Sequence, residues 1–211
     1  MAVEFKTYIP ENGEIRAAVY LIGDKGGEQF AKYPENGVMI VCVSGIDWNR
    51  DLSPWEAPRA FKGEEDFSGG ADRFAGILED TVIPQAEEGL AIKERYIAGY
   101  SLAGLFAAYA PFVTDRFTGF ASVSGSMWYD GFIDFIKTHE TKVPVKKAYF
   151  SLGDREKNTR NQRMAVVEDC AEAACALFME RGASAVFELN EGNHFKDEQL
   201  RVLKGIDFLV G

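Results

Sequence analysis

The stretch 97-IAGYSLAGLF-106 decides how this chain is read. An apolar strand pattern breaks at Gly99, presents Ser101, and resumes as a run of small and apolar residues with helical character. Two readings compete for a serine flanked by Gly99 and Gly104. A strand that turns directly into a helix needs small residues simply so that the two elements can pack closely. The same turn, strained, is also how a serine hydroxyl is held out toward a pocket as a nucleophile. The G-x-S-x-x-G pattern alone decides little between them, because with 21 glycines and 9 serines chance supplies it in roughly one such chain in ten.

Outward from this stretch, strand-like and helix-like runs alternate. "RAAVYLIG" (16–23), "GVMIVCVSG" (37–45), "RYIAGY" (95–100), "FTGFASVSG" (117–125), "KKAYFSLG" (146–153) and "SAVFELN" (184–190) are short, β-rich and bounded by turn residues. Several are continuously apolar, as strands covered on both faces are. "VEFKTYI" (3–9) is amphipathic and reads as an edge strand. Phe74, Leu78 and Val82 repeat at helical spacing, as do Val166, Cys170, Ala174 and Leu177, whose helix ends at Arg181 and Gly182. "KDEQLRVLKGIDFLV" (196–210) is a last amphipathic helix. The alternation predicts an α/β fold of three layers over residues 1–211 as one domain, with a mostly parallel sheet and helices on both faces. Such sheets carry their sites beyond the carboxyl ends of the strands.

What stands at those ends is therefore informative. Strand 95–100 is followed by Ser101, strand 146–153 by Asp154 and Glu156, and strand 184–190 by His194. A serine hydroxyl becomes a useful nucleophile only when an imidazole accepts its proton. The imidazole in turn needs a carboxylate to fix its tautomer and stabilise the cation that forms. Of the two histidines, His139 lies in the polar "FIKTHETK" and reads as an exposed helix end, which leaves His194. The order serine, acid, histidine is the order of the α/β-hydrolases.

Composition narrows the partners. The formal charge of −10 argues against nucleic acid and anionic membranes, and no apolar run approaches the roughly 20 residues of a membrane span. "MAVEFKTYIP" lacks the basic-then-apolar pattern of an export signal. Cys42, Cys170 and Cys175 are odd in number and lie in apolar patterns, so they read as reduced core residues of a cytoplasmic protein. No metal site or organic cofactor is expected, and the oligomeric state is left open.

Longer motifs carry a resemblance. "GGADRFAGILEDTVIPQAEE" (69–88), "RYIAGYSLAGLFAAYA" (95–110), "NRDLSPW" (49–55), "SVSGSMWY" (122–129) and "SLGDREKNTRNQRM" (151–164) resemble one esterase branch of the α/β-hydrolases. That branch holds siderophore esterases, feruloyl-type esterases, S-formylglutathione hydrolases and mycolyltransferases. The resemblance implies Ser101 as nucleophile and His194 as base. Glu156, three residues after Gly153, is the acid it selects, with Asp154 the alternative. It implies an oxyanion hole from the N–H of Leu102 and one from the loop after strand 16–23. There "LIGDKGG" departs from the branch's L-(H/D)-G and points to Lys25, then Asp24.

Trp48, Arg50 and Trp128 also follow strands and are expected to shape a substrate pocket. Some fifteen residues separate Trp128 from Val143, so the lid is minimal and the pocket shallow and open. The activity implied is hydrolysis of a small-molecule carboxylic ester through an acyl-enzyme. Acyl transfer, thioester cleavage and a non-catalytic binding role are the alternatives.

Overall fold

A computed structural model of the chain describes residues 3–11 and 14–211. Seven strands form the main sheet: β1 (Glu4–Tyr8), β2 (Ile15–Ile22), β3 (Val38–Ser44), β6 (Ile92–Tyr100), β7 (Gly119–Val123), β8 (Lys147–Gly153) and β9 (Ser184–Asn190). Their spatial order is β1-β3-β2-β6-β7-β8-β9. Only β1 runs antiparallel, pairing with β3 at the edge, and every other neighbour pair is parallel. A two-residue hairpin, β4 (Glu56–Ala57) with β5 (Phe67–Ser68), stands apart from the sheet.

The continuous apolar runs are explained by burial on both sides. Along β2, Ala18, Tyr20 and Ile22 join one apolar cluster while Ala17, Val19 and Leu21 join the other. Besides the single turns α1 (Trp48–Asp51) and α6 (Gln162–Ala165), the first face is covered by α2 (Ala71–Ile77), α4 (Leu102–Val113) and α7 (Val167–Glu180). The opposite face carries α8 (Glu198–Val210), whose Val202, Ile206 and Leu209 pack against Ala121, Val123 and Tyr149.

Three local differences from the sequence pattern have physical causes. The Phe74–Leu78–Val82 stripe is fully buried, but α2 widens into a π turn at Leu78–Val82 before α3 (Ile83–Ala86). Pro84 has no N–H to continue the α-helical ladder, and the wide turn absorbs that loss. In α7 the deepest stripe is Val167, Ala171, Ala174, Cys175 and Phe178, so Val166 and Leu177 lie off its centre. The helix does end at Gly182 (φ 89°), with the Ala183 N–H returning to the Phe178 carbonyl at 3.0 Å. Finally, β7 stops at Val123 because Ser124 adopts φ 46° and cannot extend the strand.

Candidate active site

The turn between β6 and α4 is tight and strained together. A Cβ on Gly99 would sit 2.3 Å from the Ala103 carbonyl oxygen, and one on Gly104 would sit 2.9 Å from the Gly125 Cα. Both glycines are thus required by close packing. Ser101 nevertheless adopts φ 59° and ψ −121°, a conformation that costs a non-glycine residue about 1–3 kcal/mol. The surroundings pin it there. Its N–H donates to the Val123 carbonyl at 3.0 Å, and its own carbonyl accepts from Gly104, Leu105 and Ser126. Close packing and backbone strain therefore occur in one and the same turn.

His194 reaches that turn from the loop after β9. Its Nε2 lies 3.1 Å from Ser101 Oγ and its Nδ1 2.7 Å from Glu156 Oε2. The Tyr100 phenol donates to the His194 carbonyl, so the end of β6 holds both partners of the Ser–His contact. His139, by contrast, caps α5 (Phe132–Thr138), exposed and stacked on Phe135.

Glu156 is nearly sealed from solvent, its side chain 5% exposed. Oε1 accepts from the Gly153 N–H at 2.6 Å, the Ser124 hydroxyl at 2.8 Å and Arg201 Nη1 at 3.1 Å, leaving Oε2 to His194. Burial pushes the carboxyl up, but the imidazole, the Gly153 N–H and the Ser124 hydroxyl outweigh it. Together they hold it below the usual glutamate range. Asp154 is used differently. Its Oδ1 accepts the Gly192 N–H at 2.8 Å, so it braces the histidine loop and not, as its short side chain suggests, its own turn.

The cavity above these groups has a volume of about 420 Å³. Trp128 lines it, as do Phe61, Met164, Val167 and Phe195. Trp48 and Arg50, expected from the sequence to shape the pocket, do not line it. Asp51, almost fully buried, takes two hydrogen bonds from the Arg50 guanidinium at 2.8 and 3.0 Å, so that charge is spent inside its own turn. Trp48 lies over Gly23, where a Cβ would come within 2.7 Å of its ring. In the loop after β2, Asp24 closes a turn onto the Gly26 N–H at 2.6 Å, and the Lys25 side chain is exposed.

Sequence patterns missed several lining residues. Phe61 comes from the loop of the β4–β5 hairpin and is 53% exposed; Phe195, 77% exposed, adjoins His194. Adjacency to the histidine was a usable signal for Phe195, whereas two-residue strands leave no periodicity to find. No residue between 129 and 146 lines the cavity; α5 from that segment packs beside α7 instead. Among the described residues no group of three or more His, Cys, Asp or Glu is placed to hold a metal ion. No helix among them is long and apolar enough to cross a membrane.

The mostly parallel seven-stranded sheet with helices on both faces is an α/β fold, as expected, and solved structures share it. An IroE-like serine hydrolase from Shewanella oneidensis superposes with a TM-score of 0.76 at 17% identity, over 97% of this chain and 74% of that one. The siderophore hydrolase EstA from Aspergillus nidulans gives 0.68 at 19% identity, over 94% and 84%. The enterobactin hydrolase IroE in complex with DFP gives 0.72 at 20% identity, over 99% and 88%. No family model matches the chain. Among curated proteins, the uncharacterized protein YbbA of Bacillus subtilis (strain 168) is 26% identical over 111 residues, half of this chain. The match spans 44% of that relative's length.

Proposed function

We propose that this chain is a serine hydrolase that cleaves small-molecule carboxylic esters through an acyl-enzyme on Ser101. One observation carries the reading: the unbroken contact from Ser101 Oγ through both ring nitrogens of His194 to Glu156 Oε2, at 3.1 and 2.7 Å. With Glu156 ionised, Nδ1 keeps its proton and donates it to Oε2, so Nε2 is free to accept the serine proton. Oγ attacks the ester carbonyl as that proton moves to Nε2. The tetrahedral oxyanion is received by the Leu102 N–H, which begins α4 and has no acceptor within the helix. The second donor is the N–H of Lys25 or Asp24. The imidazolium then protonates the departing alcohol, and a water deprotonated by His194 releases the acid and frees Ser101.

The lining supports a flat apolar group on the substrate, because Phe61, Trp128 and Phe195 offer ring faces or edges. Siderophore hydrolysis by structural neighbours and the DFP complex of one of them support ester chemistry at a serine. The unpaired Cys42, Cys170 and Cys175 support a reducing, cytoplasmic setting.

The test is a fluorophosphonate probe combined with a panel of short-chain aryl esters, feruloyl esters, catecholate lactones and S-acyl glutathiones. Labelling of wild type but not Ser101→Ala, with turnover of at least one oxygen ester, is expected. Failure of both labelling and turnover would overturn the reading in favour of a binding protein. Turnover of thioesters alone would make it a thioesterase.

A further inference from the structure

We propose that Arg201 is a positioning residue that sets the distance between the acid and the histidine loop, an inference that rests on the hydrolase reading above. Arg201 lies in the first turns of α8 and is 1% exposed. Its guanidinium is divided between two structures. Nη1 donates to Ser124 Oγ and Glu156 Oε1, both at 3.1 Å. Nη2 donates to the Glu191 carbonyl at 3.2 Å and the Asn193 carbonyl at 3.0 Å. Those carbonyls belong to the loop that ends in His194. A planar, rigid fork is the one side chain that can span an anion and two carbonyls at fixed separation.

Stability alone is a poor reason for this arrangement. Burying a guanidinium is costly even when it is paired, and Nε here is buried with no partner. An apolar residue would satisfy the packing of α8 against β7 and β8 at lower cost. What the guanidinium adds is geometry: acid, bracing serine and histidine loop are held to one rigid group. Gly153 is shaped to the same group, since a Cβ there would come within 2.9 Å of Nη2.

The charge predicts a second effect. Arg201 sits on the carboxylate that stabilises the imidazolium, so its removal leaves that carboxylate more strongly negative toward His194. The imidazole then holds its proton to higher pH. The other ionisable groups nearby are the Tyr100 phenol from β6, the Asp154–Arg155 pair after β8, Glu198 on α8 and the exposed Lys196–Glu191 pair of the loop. None of these is altered by a substitution at 201, so a moved pH limb reports on Arg201 itself.

The experiment measures kcat, KM, the pH profile of kcat/KM and thermal unfolding for wild type, Arg201→Lys and Arg201→Met on one aryl ester. Arg201→Met should lower kcat by about 10²-fold, the scale of a sub-ångström to ångström misplacement, with KM within about twofold. Its acidic limb should move to higher pH. Arg201→Lys keeps the charge but not the fork, so the limb should stay in place while kcat still falls about tenfold. Should Arg201→Met not fold, the lysine variant alone decides. Wild-type kcat in folded Arg201→Lys, or losses that follow only the folded fraction with an unmoved limb in Arg201→Met, would overturn the positioning role. An inactive, unlabelled wild type would instead overturn the hydrolase reading.

Discussion

Two neighbouring parallel strands end in a serine with positive φ, and the two serines have opposite fates. Ser101 follows β6 at φ 59° and Ser124 follows β7 at φ 46°. The hydroxyl of Ser101 borders the cavity and meets His194 Nε2. Ser124 lines the same cavity, but its hydroxyl is taken up below it, donating to Glu156 and accepting from Arg201. Residue type and the sign of φ are the same, so neither assigns a role. On the hydrolase reading proposed above, reactivity goes to the hydroxyl whose partner is a base, and support to the one whose partners are already charged.

The largest expected effect separates them directly. Ser101→Ala should reduce kcat by roughly 10⁴-fold or more, because nucleophile and base act as one unit. Its melting temperature should stay near wild type, since alanine inherits the same strained backbone. Ser124→Ala should lose about tenfold in kcat and destabilise by about 2 kcal/mol, the cost of removing a buried hydroxyl from an ionised carboxylate. Equal loss of activity in both variants, measured on one ester, would erase the distinction.

Glu156 comes next. Glu156→Gln keeps the shape of the network but removes the charge that stabilises the imidazolium, so kcat should fall roughly 10²–10⁴-fold with KM little changed. The sign of its stability effect follows from its lowered ionisation. A carboxyl whose folded value is depressed contributes stability that is fully present above the unfolded glutamate value near 4.3. That contribution is lost as pH falls through the folded value. Denaturant unfolding should therefore find Glu156→Gln weaker than wild type at pH 7 and progressively closer to it below about pH 4. A gap that widens on acidification would contradict the network as drawn.

Much of this was legible in the sequence, and the exceptions are instructive. Strand runs buried on both faces announce themselves as continuous apolar stretches, which is why most main-sheet strands could be read in advance. Ser101, the pair Asp154 and Glu156, and His194 stand after three of them, and only the family resemblance preferred Glu156 to Asp154. Arg50 could not be placed, because whether a cation faces a pocket or a neighbouring carboxylate depends on a rotamer, and Asp51 claims it. Arg201 looks like any surface charge until its register is noticed. It falls in line with Gly205 and Leu209 on the buried side of α8. A charge on an apolar stripe is the one trace such a residue leaves, and naming its acceptors needs the loops of three other strands.

A smaller effect concerns the strained turn itself. Ser101→Gly should be more stable than Ser101→Ala by about 1 kcal/mol in denaturant unfolding, since glycine alone relieves the positive φ. Both should be equally inactive. A glycine variant no more stable than the alanine one would mean that the surrounding hydrogen bonds, not the residue's own conformational cost, govern the turn.

The smallest effect is the one most able to redraw the site. Asp154 stands two residues before Glu156, and its carboxylate reaches the histidine loop only at the Gly192 N–H. That loop is also tied to the Asp154 segment by two backbone bonds, from the Asp154 N–H to the Asn190 carbonyl at 2.7 Å and the Arg155 N–H to the Gly192 carbonyl at 3.0 Å. Asp154→Ala therefore removes one tie of three, at a side chain about half exposed, where water can take up the freed N–H. The expected cost is about 1 kcal/mol of stability and no more than about threefold in kcat. A loss of several hundredfold in kcat with the fold intact would move the acid's role to Asp154. It would also leave the short contact between Glu156 and His194 as bracing, the part now given to Ser124.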